Sequence, residues 1–405
     1  MLGLALLKKL WSWLVPEGAI LLAAVAALEL DRLREPVQAF AQFYPYVVFG
    51  LGVLVALRFQ RSRLVFAVLV LAAAEWVLTH PPAGLAGRFV TQSVALLLPL
   101  NLAAITLMTE RGTFTRMGLV RFAILLLQAA AVVWVARVTP ERGAALVGSA
   151  ALPRAWFDWT PLAPIPFLAS LAALGLTGAG VLFQASPTNR GFLWALVTAF
   201  LGLNAPRTGV ADTIYLATAG LILVVAMIEA SYLMAYQDGL TGLAARRALN
   251  EALLRLGGHY TVAMVDVDHF KRLNDRYGHD VGDQVLRMIA AKLAKVPGGG
   301  RAFRYGGEEF ALLFSGKTVE ECLPELDALR KDIEDTSFTI RRRLRPRRKP
   351  AGLRDTTSTR QRIAVTVSIG AAEPDGRKKT PDQVVRAADQ ALYQAKEAGR
   401  NRVRS

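Results

Sequence analysis

A glycine pair followed directly by two glutamates is the segment of this sequence that most clearly indicates chemistry. Residues 304–310 read RYGGEEF and have apolar residues on both sides, which is the pattern of two β-strands joined by a two-residue Gly-Gly loop. The two glycines allow a tight turn and a close approach to a bulky ligand. The segment predicts a β-hairpin with Glu308 and Glu309 at its tip. Side chains alternate along a strand, so we expect only one of the two to face a given site. A solvated surface turn is the other interpretation of an acidic pair taken alone.

A second acidic pair, Asp266 and Asp268, ends the apolar and β-branched run over residues 260–267. An unbroken run of this kind predicts a strand that is buried on both faces. Carboxylates at the end of such a strand are costly unless a cation or a hydrogen-bond network holds them. A hard divalent ion such as Mg²⁺ commonly takes one or two carboxylates, a backbone carbonyl and phosphate oxygens. We therefore expect Asp266 to bind a divalent ion together with Glu308 from the neighbouring hairpin.

Both acidic segments lie in the C-terminal part of the chain, whose composition differs from that of the N-terminal part. The hydrophobic fraction is 53% over 405 residues, but nearly all the long apolar runs precede residue 235. We therefore predict a helical membrane domain over residues 1–234 and a cytoplasmic α/β domain over residues 235–405. Cys322 is the only cysteine, which excludes an intrachain disulfide and is typical of a cytosolic domain. The net charge of +16 fits either the basic cytoplasmic parts of a membrane protein or a binder of phosphates.

The apolar segments predict about eight membrane spans, of which the first, second and seventh are short and are expected to be tilted or re-entrant. They cover residues 19–30, 43–57, 64–79, 89–109, 117–138, 165–183, 192–203 and 210–232. The first residues, 1–18, carry two lysines and two tryptophans in an apolar stretch, which predicts an interfacial amphipathic helix rather than a cleaved signal peptide.

Basic residues in the connections predict the orientation of these spans, because cytoplasmic loops are enriched in lysine and arginine. Those that fall on one side are Lys8, Lys9, Arg58, Arg61, Arg63, Arg111, Arg116 and Arg190. An even number of spans places the C-terminal domain on this same, cytoplasmic side. The opposite side receives the longest connection, residues 139–164, whose Trp156 and Trp159 indicate anchoring at the outer interface rather than ligand sensing.

Six motifs in register over residues 238–403 resemble a GGDEF domain, the catalytic domain of diguanylate cyclases. They are DGLTGL at 238–243, DVDHFKRLND at 266–275, GHDVGD at 278–283, RYGGEEF, VTVSIG at 365–370 and ADQALYQAKEAGRNRV at 388–403. The resemblance implies a central sheet flanked by helices, similar to the architecture of adenylyl cyclases and the polymerase palm. It also implies synthesis of cyclic di-GMP from two GTP molecules with two Mg²⁺ ions per active site, which Mn²⁺ can replace.

The resemblance assigns roles to individual positions of this sequence. It implies that Asp266, Glu308 and the carbonyl of Val267 are metal ligands, that Glu308 also accepts a proton, and that Glu309 supports the metal or the hairpin. Lys271 is assigned with Glu308 to the catalytic set. The positions implied for nucleotide binding are Phe270 and Lys271 beside the phosphates, Asn274 and Asp283 at the guanine edge, His279 on the same loop near the ribose or base, and Lys396 and Arg400 on the β and γ phosphates. Lys396 and Arg400 are four residues apart, so we expect them on one face of the last helix.

Each protomer of such an enzyme holds one GTP, so the resemblance implies that two domains face each other in a homodimer. The predicted location is the inner membrane of a bacterium, with the membrane half as a sensor domain that regulates the enzyme. Two other functions stay open: a non-catalytic receptor for GTP or cyclic di-GMP, and a transporter or receptor whose main activity lies in the membrane half.

Two segments depart from the family pattern. Many family members have an RxxD site for product inhibition where this chain has 297–300, PGGG, so we expect no product inhibition through these residues. The second departure is the basic run 341–349, RRRLRPRRK, in a predicted hairpin loop near 341–362. It is interpreted as a solvated mobile loop or a contact with anionic lipid, and nucleic acid is not expected as a partner.

Overall fold

The computed structural model describes residues 16–30, 34–148, 154–184, 186–205, 210–339, 362–375 and 380–405. The chain forms two compact units, Met1–Ser231 and Tyr232–Ser405. The break lies three residues before the boundary expected from composition.

The first unit is helical over its described residues. Its helices are α1 (Glu17–Glu29), α2 (Arg34–Ala41), α3 (Tyr44–Arg58), α4 (Ser62–Thr79), α5 (Gly84–Leu107), α6 (Arg116–Val138), α7 (Pro140–Gly148), α8 (Pro164–Phe183), α9 (Pro187–Asn204) and α10 (Ala211–Tyr236), with a 3-10 turn at Arg154–Phe157. Each of the eight apolar segments corresponds to one helix. Within the described ranges five helices, α4, α5, α6, α8 and α10, are long and apolar enough to cross a membrane. A sixth candidate is the pair Glu35–Ala41 and Tyr44–Arg58, which is bent by 43°.

Of the eight helices that correspond to the apolar segments, three are not among those five: α1, α3 and α9, which match the segments that were expected to be short. The total of eight spans therefore stays a prediction. Trp156 and Trp159 are exposed in the long connection, as interface anchors would be. The predicted amphipathic helix falls mainly on residues 1–15, which lie outside the described residues.

The second unit contains a six-stranded mixed sheet with the strand order β1-β3-β4-β2-β7-β8. The strands are β1 (Ala244–Ala245), β2 (Tyr260–Val267), β3 (Arg301–Gly306), β4 (Glu309–Ser315), β7 (Val367–Ala372) and β8 (Val403–Arg404). A separate antiparallel pair is formed by β5 (Phe338–Thr339) and β6 (Arg362–Ile363). The basic run between these two strands lies outside the described residues.

Strand β2 is buried along its whole length, which confirms the prediction made from its unbroken apolar run. Val262 and Met264 pack into a cluster with α11 (Arg246–Leu254) and α15 (Pro381–Glu397). Ala263 and Val265 pack on the other face with α13 (His279–Leu293) and α14 (Val319–Glu334). Helix α12 (Phe270–Tyr277) follows β2 directly. Two covered faces make the centre of the sheet a rigid support for the residues at the end of β2.

Candidate active site

The hairpin formed by β3 and β4 has its turn one residue later than the sequence suggested. Gly306 belongs to β3 and pairs with Glu309, with a bulge between Arg304 and Gly306. The turn is made by Gly307, whose φ is +39°, and Glu308. The predicted Gly-Gly loop is therefore wrong, because the bulge shifts the register by one residue.

Arg304 braces this turn. Its Nε and Nη2 donate hydrogen bonds to the carbonyl oxygen of Gly307 at 3.1 and 2.6 Å. Its Nη1 donates to both carboxylate oxygens of Asp238, at 2.8 and 2.9 Å. Asp238 in turn accepts bonds from the backbone N–H and the hydroxyl of Thr241. Sequence reasoning gave Arg304 and Asp238 no role, although opposite charges in two of the matching motifs were a usable signal.

Asp266 lies beside the hairpin, because its backbone pairs with that of Glu309 across β2 and β4. Its side chain is 9% exposed, and the Nζ of Lys396 lies 2.8 Å from its Oδ2. Burial raises the pKa of Asp266 above its ordinary value, and the bond from Lys396 only partly opposes this. The carboxylate thus lies in a setting that disfavours negative charge unless a cation is close.

Glu308 and Glu309 both lie within electrostatic reach of Asp266 and Lys396. Burial raises the pKa of each glutamate, and repulsion from Asp266 raises it further. The alternation of side chains along a strand does not apply to Glu308, because it lies in the turn; that only one of the two glutamates faces the site stays a prediction. Lys396 forms its ion pair with Asp266, while all three acids lie within its electrostatic reach, and this excess of negative charge favours a bound cation.

The oxygen atoms near the hairpin turn suit a magnesium site in which water and phosphate fill the remaining coordination positions. In the part of the chain that the structure describes, no three His, Cys, Asp or Glu residues lie close enough to hold a metal by themselves. Magnesium usually takes only one or two protein carboxylates and completes its shell with water and substrate phosphates. Asp266 and Glu308, which interact electrostatically, would supply such carboxylates, and the role of the Val267 carbonyl stays a prediction.

Asp268 has a different environment from Asp266. Its Oδ1 accepts a hydrogen bond from Ser368, and its Oδ2 accepts from Thr366 and from the backbone N–H of Asn401. This buried acid is therefore held by a hydrogen-bond network, one of the two solutions expected for acids at the end of β2.

The residues predicted to contact the nucleotide are distributed over α12 and α13. The ring of Phe270 is buried in the core, so that only its backbone remains available to a phosphate. Lys271 is exposed, and no hydrogen bond or ion pair joins it to the described carboxylates. His279 is the first residue of α13 and is exposed, which corrects its expected place on a loop.

Asn274 has a buried Oδ1 without a hydrogen-bond partner among the described residues. This oxygen lies directly over Gly282, where a Cβ atom would come within 1.9 Å of it. Asp283, the next residue of α13, is partly buried. A buried amide oxygen that lacks a partner is costly, so a polar ligand edge at this place would stabilise it.

The positions of Lys396 and Arg400 differ from the prediction. Helix α15 ends at Glu397, and Gly399 has a φ of +108°. Arg400 follows with a φ of +63°, and its N–H donates to the carbonyl of Ala395. The two cations are therefore not on one helical face, because the glycine ends the helix between them. The charge of Arg400 nevertheless acts on Asp266 and lowers its pKa against the larger effect of burial.

Residues 297–300 form a turn in which Gly298 and Gly299 have positive φ angles. A Cβ atom at Gly300 would lie 2.6 Å from the ring of Phe314 and 2.7 Å from Val296. An acidic side chain at residue 300, as in the RxxD pattern, would thus require the core to move. The absence of product inhibition here stays a prediction.

Comparisons with known proteins concern this second unit. The family model "Diguanylate cyclase, GGDEF domain" matches residues 235–402. The chain is 34% identical over 184 residues to the response regulator PleD of Caulobacter vibrioides, covering 44% of this chain and 37% of that protein. It is 36% identical over 171 residues to the diguanylate cyclase VdcA of Vibrio cholerae, covering 41% of this chain and 45% of that protein.

The chain spans less than half the length of both curated relatives. Among solved structures, it is similar to the coiled coil and GGDEF domain of DgcB from Caulobacter crescentus in complex with c-di-GMP. The identity is 32%, the match covers 46% of this chain and 94% of that chain, and the TM-score is 0.40. The family model, the relatives and the hairpin with its acidic neighbours agree, and residues 235–402 of this chain belong to the GGDEF domain family.

Proposed function

We propose that this chain is a membrane-bound diguanylate cyclase that condenses two GTP molecules into cyclic di-GMP and releases pyrophosphate. The observation that carries the proposal is that the end of β2 pairs with the GGEEF hairpin, which brings the backbone of Asp266 opposite that of Glu309, next to Glu308, while Lys396 lies 2.8 Å from Asp266. The match of residues 235–402 to the family model and the name of one curated relative, the diguanylate cyclase VdcA, support it.

In this proposal each domain binds one GTP. Asn274 and Asp283 receive the guanine edge, since an amide and a carboxylate suit its donors and acceptors. His279 lies near the ribose or base, and the backbone at Phe270 and the side chain of Lys271 lie beside the phosphates. Lys396 and Arg400 bind the β and γ phosphates through charge-assisted hydrogen bonds. Lys396 must then exchange Asp266 for the phosphates when the nucleotide enters.

Two Mg²⁺ ions, or Mn²⁺ in their place, would be held by Asp266, Glu308 and the Val267 carbonyl, with support from Glu309. When bound, they lower the pKa of the attacking hydroxyl and neutralise the charge that develops on the phosphate oxygens. The 3′-oxygen of one GTP forms a bond to the α-phosphorus of the other, and the bond to pyrophosphate breaks. Glu308 accepts the proton of the 3′-hydroxyl. The same step, repeated with the roles exchanged, closes the ring.

Because each domain supplies one GTP, the reaction needs two domains face to face, and the proposed active species is a homodimer. The apolar helices of the first unit are proposed to hold the chain in the bacterial inner membrane with the second unit in the cytoplasm. The first unit then acts as a sensor that sets the geometry of the dimer, and the basic run 341–349 contacts anionic lipid.

The proposal is tested by incubating the full chain, purified in detergent, with GTP and MgCl₂ and quantifying cyclic di-GMP. Glu308→Ala should lower the rate by about a thousandfold, because it removes both a proton acceptor and a metal ligand. Asp332→Asn removes an exposed carboxylate that pairs with Lys292 and is the matched control, with an expected rate near that of the wild type. If the wild type binds GTP but forms no product, the chain is a nucleotide receptor and the enzymatic proposal is wrong.

A further inference from the structure

In the turn that follows α15, two residues other than glycine adopt left-handed backbone conformations. Arg400 has a φ of +63° and Asn401 a φ of +47°. Asparagine tolerates this conformation better than most residues, but arginine gains nothing from it. Such backbone persists only where surrounding contacts compensate for its cost.

Asn401 provides those contacts through three of its groups. Its backbone N–H donates to Oδ2 of Asp268 at 3.1 Å. Its side-chain Oδ1 accepts from Nη1 of Arg330 at 2.9 Å, and its Nδ2 donates to Oε1 of Glu334 at 2.7 Å. Arg330 is itself 10% exposed at its side chain and also binds Asp327 and Glu334 on α14. The turn is thus held by Asp268 through the backbone of Asn401 and by helix α14 through its side chain.

Asp268 connects this turn to the centre of the sheet. It is 7% exposed, and its oxygens also accept bonds from the hydroxyls of Ser368 at 2.7 Å and Thr366 at 2.8 Å. Asp268 lies two residues after Asp266. The segment that carries the proposed metal ligand therefore also fixes the turn that carries Arg400.

We infer that Asp268 and Asn401 are positioning residues for the triphosphate of GTP: they hold the left-handed turn that presents the guanidinium of Arg400. The inference rests on the proposed function for the role of Arg400. Neither residue touches the nucleotide; each acts through Arg400. A bidentate guanidinium requires a fixed direction of approach, so a turn that relaxes should weaken binding even though the charge remains.

The test measures binding of 3′-deoxy-GTP, which lacks the attacking hydroxyl, to the detergent-solubilised full chain with MgCl₂ by calorimetry. Asn401→Ala should weaken binding about tenfold, the value of one charge-assisted hydrogen bond. Asn401→Gly removes the same side-chain bonds and, like Asn401→Ala, keeps the backbone N–H, but it tolerates positive φ, so it should recover part of the loss and bind about threefold more weakly than the wild type. Asp332→Asn is the matched control, because it removes an exposed carboxylate of α14 that pairs with Lys292 and has no bond to the turn; we expect a change of less than about twofold.

The decisive comparison is the double variant Arg400→Ala with Asn401→Ala. If Asn401 acts through Arg400, the double variant binds as Arg400→Ala alone, whereas an unrelated loss of stability would add to it. The inference is overturned if Asn401→Ala and Asn401→Gly both bind like the wild type, or if the two losses multiply. If the variants show the expected affinities but the wild type forms no cyclic di-GMP, the proposed function is refuted and the inference still stands. A wild type that does not bind the analogue overturns both.

Discussion

At the scale of single residues, the site consists of side chains that destabilise the protein when no ligand is bound. Asp266, Glu308 and Glu309 repel one another, and Asn274 has a buried oxygen without a partner in the described part of the chain. A divalent ion bound together with a triphosphate would offset the negative charge of the first group, and a guanine edge would supply a hydrogen-bond partner for the second. We therefore place the phosphates of a single nucleotide at the acidic group and its base at Asn274.

Gly282 gives a sharp test of the guanine end. Gly282→Ala would place a methyl group within 1.9 Å of the Oδ1 of Asn274 and force the amide to move. We expect the affinity for 3′-deoxy-GTP to fall about tenfold, since a misplaced amide loses its hydrogen bond to the base. At Gly257 an added methyl group would meet no described atom within 4 Å, so Gly257→Ala is the control and should bind normally. Equal affinities for all three proteins would show that Asn274 does not contact the nucleotide.

At the scale of elements, the hairpin turn is not held by its own sequence alone. Arg304 joins the Gly307 carbonyl to Asp238, which lies in the turn before β1. The position of Glu308 therefore depends on a segment about seventy residues earlier, counted from Asp238 to Glu308.

This brace predicts a pH dependence of stability. Burial by itself would raise the pKa of Asp238, but the bonds from Thr241 and Arg304 outweigh it and hold the pKa below its ordinary value. A lowered pKa contributes stability above the unfolded-state pKa of about 3.9, and this contribution is lost as the pH falls through the folded-state pKa. We expect Asp238→Asn to lower the free energy of unfolding of the second unit by about 1 kcal/mol at pH 7.

The measurement is thermal unfolding of the full chain and of Asp238→Asn at pH 7 and at successively lower pH. The difference between the two proteins should shrink as the pH falls below about 4. Asp332→Asn, which removes an exposed pair, should show little difference at any pH. A difference for Asp238→Asn that grows in acid would contradict the assigned role of the brace.

The sequence predicted the elements better than their ends. The apolar run was sufficient to find β2, and the motifs were sufficient to find the domain family, whereas the roles of Asp266, Asn274 and Glu308 stay predictions. The hairpin register was missed because a bulge between Arg304 and Gly306 depends on the pairing of two strands. Arg400 was expected on the last helix because it lies four residues after Lys396, whereas the helix ends at Glu397. The roles of Arg304 and Asn401 depend on contacts between segments distant in sequence, which spacing does not reveal.

At the scale of the whole molecule, the chain combines a unit of apolar helices with a GGDEF domain. The family model matches residues 235–402, within the second unit, and the curated relatives are covered over 37% and 45% of their own lengths. The proposed enzyme requires two copies of the second unit, and helices in a membrane are a direct means of holding two copies together.

The central claim is that Asp266 and Glu308 bind a divalent ion while one GTP lies between Asn274 and Arg400. The most direct measurement is a structure of the full chain with 3′-deoxy-GTP and MgCl₂. We predict an ion within about 2.0–2.2 Å of carboxylate oxygens of both acids, the base at Asn274, and Lys396 moved from Asp266 to the phosphates. A nucleotide bound elsewhere, with Lys396 still paired to Asp266, would contradict the account.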